Sequence, residues 1–225
     1  MAAKKKKLPR PKLTRALIAD IYKYLATLDP EPETELNYTN PFTLVVAVAL
    51  SAQSTDLGVN KATKDLFAAA DTPEKMLALG EDTVRDYIKT IGLYRNKAKN
   101  VILMSRRLVD VFGSVVPDNR EDLMSLPGVG RKTANVVLNS AFGQPTMAVD
   151  THIFRVSNRT GMAPGKDPVE VELNLLKVTP PEYAMHAHNW LILHGRYTCI
   201  ARKPKCYNCA ISRICKFKDK TPTAD

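Results

Sequence analysis

Lys132 closes the run Leu126-Pro127-Gly128-Val129-Gly130-Arg131-Lys132, and a carboxylate, Asp150, follows eighteen positions later. A lysine amine that sheds its extra proton is a nucleophile for sugar or carbonyl carbon. Gly128 and Gly130 can take positive φ and allow another backbone to approach, while Pro127 stiffens the entry to the turn. The pattern predicts a helix over 134–141 with Gly143 at its stop, so the glycine turn feeds a helix N-terminus. That end favours a phosphate and disfavours a further proton on a first-turn lysine, which predicts a usable free amine on Lys132. The same residues also read as an ordinary turn and a solvated lysine. Asp150 reads equally well as the N-cap of a helix that starts at Thr151 and closes at Gly161. Spacing does not choose between capping and chemistry.

Four cysteines form a second cluster: Cys199, Cys206, Cys209 and Cys215, the only cysteines of the chain. Without a secretory signal their use as disulfides is disfavoured, and a four-thiolate metal site is the better reading. A single Cys-x2-Cys pair matches neither the doubled knuckles of many zinc sites nor the common ferredoxin runs, so zinc and an iron–sulfur cluster both stand on spacing. The loop between the first two cysteines carries Arg202, Lys203 and Lys205 around Pro204. It is either a metal-anchored surface for phosphates or a solvated basic loop.

Charge narrows the partner. Over 225 residues, 33 Lys and Arg face 23 acidic residues, a formal charge of +10 with pI near 9.4. Such an excess calls for a polyanion, and nucleic acid fits best, ahead of an acidic protein or a membrane surface. The lysines at 4–7 are followed by Pro and Arg rather than an apolar run, which predicts a cytosolic or nucleoid protein with a flexible basic arm over 1–12. The longest apolar run, 44–50, is far shorter than the roughly 20 residues that span a bilayer, and it reads as a buried helix.

The fold class expected is all-α. Helical spacing or a plausible cap marks 13–28, 43–51, 60–69, 72–79, 83–89, 96–112 and 120–125, with no alternating strand. Residues 29–35, acidic and containing two prolines, read as a connector. His152 reads as a local hydrogen-bonding residue. His186, His188 and His194 read as surface or core residues rather than metal ligands, although His-x-His can recruit a metal. Trp190 and Tyr197 read as core aromatics, Gln53 as a helix-terminal polar residue, and Leu93 as core or loop.

The hairpin run through Val137, the string Ala148-Val-Asp-Thr-His-Ile-Phe-Arg155 and the cysteine tail together closely resemble the endonuclease III family of DNA glycosylases, within the helix-hairpin-helix-Gly-Pro-Asp superfamily. The likeness runs from about 36 to 218. It implies two helical domains: a barrel with the helix-hairpin-helix over 36–144, and a discontinuous domain of 13–35 plus 145–218 holding a [4Fe-4S] cluster. Residues 219–225 form a tail, and a DNA-binding cleft lies between the domains. It further implies a bifunctional glycosylase and abasic-site lyase of base excision repair, acting on double-stranded DNA with oxidised pyrimidines or abasic sites. Lys132 would be the imine-forming nucleophile, with Asp150 its proton acceptor and charge stabiliser. Gln53 and Leu93 would fill the stack vacated by a flipped nucleotide, Gly128, Val129 and Gly130 would grip phosphate, and Arg202, Lys203 and Lys205 would contact DNA. The resemblance also settles the four cysteines on the cluster rather than zinc. A monofunctional glycosylase and a non-catalytic iron–sulfur DNA-binding protein are the rivals. A monomer is expected, because a damaged site in DNA imposes no two-fold symmetry.

Overall fold

The computed structural model describes residues 8–223, and these divide into two compact units, one of residues 34–144 and one formed by residues up to 33 together with those from 145 onward. All regular structure among the described residues is helical, without a strand.

The continuous unit is built around α2, Pro41–Leu50. Asn40 and Thr43 close a reciprocal capping box, and Pro41 supplies a preset φ at the first helical position. Phe42 through Val48 and Leu50 are all buried, so this is the apolar helix expected from the 44–50 run. Against it pack α3 (Asp56–Ala69), α5 (Tyr94–Phe112) and α7 (Arg131–Phe142), with α4 (Pro73–Ile88) on α3 and α5, and α6 (Arg120–Met124) on α7. α3 begins four residues earlier than the apolar pattern predicts, because the Thr55 side chain accepts from the Gly58 amide and starts the helix there. The two helices expected over 72–89 join as α4, kinked at Gly80, whose φ of 77° and ψ of 164° only glycine adopts readily.

The second unit packs α1 (Arg15–Leu28), α8 (Thr151–Thr160), α9 (Pro168–Val178) and α10 (Ala187–Tyr197). From α1 come Ile18, Ile21, Tyr22 and Leu25, spaced to line one face, and they enter a core with Ile153, Val156, Leu175, Trp190 and Leu191. The connector is held rather than loose, since Trp190 Nε1 donates to the Asp29 carbonyl at 2.7 Å and Asn189 Nδ2 to the Pro32 carbonyl at 2.8 Å. The flexible arm expected over 1–12 is docked at its described end. Asn174 donates to the Pro9 carbonyl, and the Lys12 amide donates to the Gly161 carbonyl at 2.7 Å, so these positions are docked; the lysines at 4–7 lie outside the described residues.

Helices α8 and α10 meet at Gly195. A Cβ there would sit 2.8 Å from His152 Cβ and 3.0 Å from the His152 carbonyl oxygen. Backbone cannot yield as a flexible side chain can, so Gly195→Ala is expected to cost about 1–3 kcal/mol, seen as a lowered thermal midpoint. An unchanged midpoint would show that the two helices separate freely.

Candidate active site and thiol pocket

The turn between α6 and α7 is shaped from beneath. Asn119 caps α6 by accepting from the Asp122 amide, the Leu126 amide donates to Leu123, and the Val129 amide donates to Leu126 at 3.0 Å. Leu126 and Val129 are buried, so Val129 anchors the turn while Gly128 and Gly130 face outward. Gly128 has φ of +82°, and a Cβ there would lie 3.2 Å from Asn100 Cβ, so both conformation and space require glycine. Gly130 is the N-cap of α7 and has no side chain to cap with. Helix N-termini left without a side-chain cap present backbone donors and a partial positive charge, the two requirements of a phosphate site. Lys132 is the second residue of α7 and is exposed. Arg120 Nε donates to Asn135 Oδ1 at 2.9 Å and ties α6 to α7.

Asp150 belongs to the other unit. It is the N-cap of α8, and its Oδ1 accepts from the amides of His152 and Ile153, both at 2.8 Å; Gly161, in the left-handed region, closes the helix. The cap engages one carboxylate oxygen, which leaves Oδ2 for other work. His152 Nδ1 lies 3.3 Å from an Arg155 nitrogen, in keeping with a local hydrogen-bonding role.

Gln53 and Leu93 share an uncommon backbone. Their φ values are 55° and 59°, and both are exposed, Leu93 to 56%. Leu93 is therefore a loop residue that directs an apolar side chain into solvent. Its loop abuts that of Gln53, for a Cβ on Gly92 would be 3.6 Å from the Gln53 carbonyl oxygen.

All four cysteines line a single pocket, partly open to solvent, with Thr160, His194 and Ile211 among its walls. Burial, with repulsion from the other sulfurs adding to it, pushes the Cys209 thiol up to about 11, and burial also raises Cys215. Four sulfurs around one pocket suit a positively charged metal centre, which reverses that penalty by binding the thiolates. Among the described residues no three His, Cys, Asp or Glu side chains converge to hold a single metal ion. His188 and His194 are buried, as expected of core histidines, and Trp190 is too. Tyr197 is not: it is 53% exposed at the end of α10, so its reading as a core aromatic was wrong.

Two arginines that sequence spacing passed over shape the cysteine loop. From α8, Arg155 donates to the carbonyls of Cys199 and Gly195, and Arg159 to those of Ile200 and Ala201, with Arg159 also stacked 4.5 Å above the Phe217 ring. Only their four-residue separation on one helix face hinted at a joint role. Pro204 is buried, while Arg202, Lys203 and Lys205 are exposed.

The sequence model of the HhH-GPD superfamily, base excision DNA repair proteins, matches residues 46–181, a span that takes in the hairpin, Lys132 and Asp150. Endonuclease III of Haemophilus influenzae is 59% identical over 201 residues, covering 89% of this chain and 95% of the relative. The chain belongs to the endonuclease III family. The Escherichia coli endonuclease III is 56% identical over 208 residues, 92% of this chain and 99% of the relative. A solved endonuclease III, trapped as a covalent intermediate with DNA, superposes with a TM-score of 0.85 at 44% identity, covering 91% of this chain and 96% of that one. As a member of the endonuclease III family, the chain is a DNA glycosylase and abasic-site lyase of base excision repair. Among the described residues no helix is long and apolar enough to cross a membrane.

Proposed function

We propose that this enzyme, acting as a monomer on double-stranded DNA, removes oxidised or ring-saturated pyrimidines and then cuts 3′ to the abasic site. The observation that carries this reading is an exposed lysine in the first turn of a helix whose glycine N-terminus has no side-chain cap. Gly128, Gly130 and the start of α7, held by Val129, grip the phosphates beside the lesion and bring the amine to the sugar. The nucleotide leaves the stack at a cost of a few kcal/mol, and Leu93 and Gln53 take its place.

The Lys132 amine then attacks C1′ with its lone pair, and the glycosidic bond breaks with its electrons going to the base, which leaves protonated. Opening of the C1′–O4′ bond gives an imine, and a proton goes to O4′. The imine acidifies the C2′ proton; its loss expels the 3′-phosphate by β-elimination. Asp150 takes up the lysine proton and stabilises positive charge on the sugar. The trapped covalent intermediate of the solved relative supports a covalent step.

Cys199, Cys206, Cys209 and Cys215 hold a [4Fe-4S] cluster. Soft thiolates suit iron and sulfide, all four sulfurs line one pocket, and membership of the endonuclease III family favours the cluster over zinc. Its part is that of a scaffold, presenting Arg202, Lys203 and Lys205 to the DNA backbone. Cys209→Ser is expected to lower bound iron and acid-labile sulfide from four of each per chain and to weaken duplex binding. Zinc in place of iron in protein purified without oxygen would overturn the cluster.

The function is tested with borohydride on a duplex carrying one thymine glycol. The expected result is a covalent protein–DNA adduct together with released base. Base release with no adduct would replace the amine by water as nucleophile, and no reaction on any lesion or abasic site would reduce the chain to a binding protein.

A further inference from the structure

We infer that Lys97 is a positioning residue that locks together the two loops which fill the gap left by a flipped nucleotide. The inference rests on the roles proposed for Gln53 and Leu93. Lys97 lies on α5, one turn beyond Leu93, and its amide donates to the Leu93 carbonyl at 3.0 Å. Its side chain runs inward, leaving the residue only 7% exposed, and Nζ donates to Ser54 Oγ at 2.8 Å. Ser54 is the neighbour of Gln53, and its own amide donates to the Ser51 carbonyl, closing that loop. One buried side chain therefore joins the Gln53 loop to the Leu93 loop across 43 residues of sequence.

A buried lysine needs a reason. Among the described residues no carboxylate pairs with Lys97, and burial lowers its proton affinity, so the ammonium would be better placed in solvent unless its bond to Ser54 served the fold or the reaction. The need lies in the loops. Gln53 and Leu93 both hold left-handed backbones that residues with a Cβ adopt at a cost, and such conformations persist where their surroundings over-determine them. The strap from Lys97 to Ser54 fixes the first loop, and the start of α5 fixes the second. At Asn100, one further turn along the same face of α5, the helix touches the Gly128 turn, so a single helix sets the positions of both plugs and the phosphate grip.

The test separates extrusion of the nucleotide from imine chemistry. A 2-aminopurine placed opposite thymine glycol brightens as its partner leaves the stack, and stopped-flow fluorescence reads that step. Borohydride trapping on a single-stranded abasic oligonucleotide reads the chemistry where there is no opposing strand to stabilise. Lys97→Met keeps the length of the side chain without its donor, and Ser54→Ala removes the acceptor at the surface end. Both are expected to slow the fluorescence rise about 10- to 100-fold, the scale of a displaced positioning group, while trapping on the single strand stays within about twofold. Lys97→Arg restores part of the rise. Unchanged fluorescence in both variants, or equal losses in both steps, overturns the inference. If wild-type protein traps no adduct, the imine reading falls, and the fluorescence rise still decides the role of Lys97.

Discussion

Lys132→Gln is expected to abolish the borohydride-trapped adduct and to lower base release from a thymine glycol duplex by roughly 10³-fold or more, the scale on which loss of an activated nucleophile is felt. The folded state should survive. Lys132 is exposed, and among the described residues no bond to a neighbour rests on its side-chain nitrogen; glutamine is nearly as good a helix former. Binding should also largely survive, since the phosphate grip proposed for the Gly128–Gly130 turn uses backbone donors, with at most one charge lost from the counterion balance. The expected pattern is a kcat effect without a comparable loss of affinity. A variant that still releases the base at near wild-type rate, with no adduct, would assign the attack to water and leave Lys132 as a phosphate contact.

The parts of this site that were legible in sequence are the local ones. A left-handed turn demands glycine, a helix start demands a cap, and both demands are written within a few residues; Gly128, Gly161 and Asp150 stand where those rules put them. The apolar run of α2 announced its own burial. Helix α9 was illegible for a physical reason. It buries Glu170, Glu172 and Asn174 beside Val171 and Leu175, and exposes Val169, Leu173 and Leu176, so polar and apolar faces are mixed and the period is lost. Helix α10 likewise buries His188, Asn189 and His194 around Trp190, and its Gly195 is kept for close packing rather than for helix propensity.

Long-range bonds were invisible for a different reason. Arg159 reaches carbonyls more than 40 residues away, and Lys97 reaches Ser54 over 43, distances at which no spacing rule operates. The exposed Tyr197 shows the converse error, an aromatic assigned to the core on type alone although large apolar side chains are common on surfaces. The roles proposed for Gln53 and Leu93 come from family likeness, since residue type by itself leaves them as a polar helix end and a loop or core leucine.

Asp150 gives a prediction that separates the two roles spacing left joined. Asp150→Asn keeps an oxygen able to accept from the His152 and Ile153 amides, and asparagine is as good an N-cap as aspartate, so the midpoint of unfolding should move little. The charge is gone, however, and with it the proposed acceptor for the lysine proton and the proposed partner for a cationic sugar; the single-turnover rate should fall roughly 10²- to 10⁴-fold, within the range for a positioned acid–base group. Asp150→Ala removes both roles at once. It should show the same kinetic loss and, in addition, a destabilisation of about 1 kcal/mol from the orphaned amides of α8. Comparing the two variants isolates the cap as the difference in stability and the carboxylate as the shared loss of rate. An Asp150→Asn protein as fast as wild type would make capping the whole of the residue's function and move the proton acceptor elsewhere.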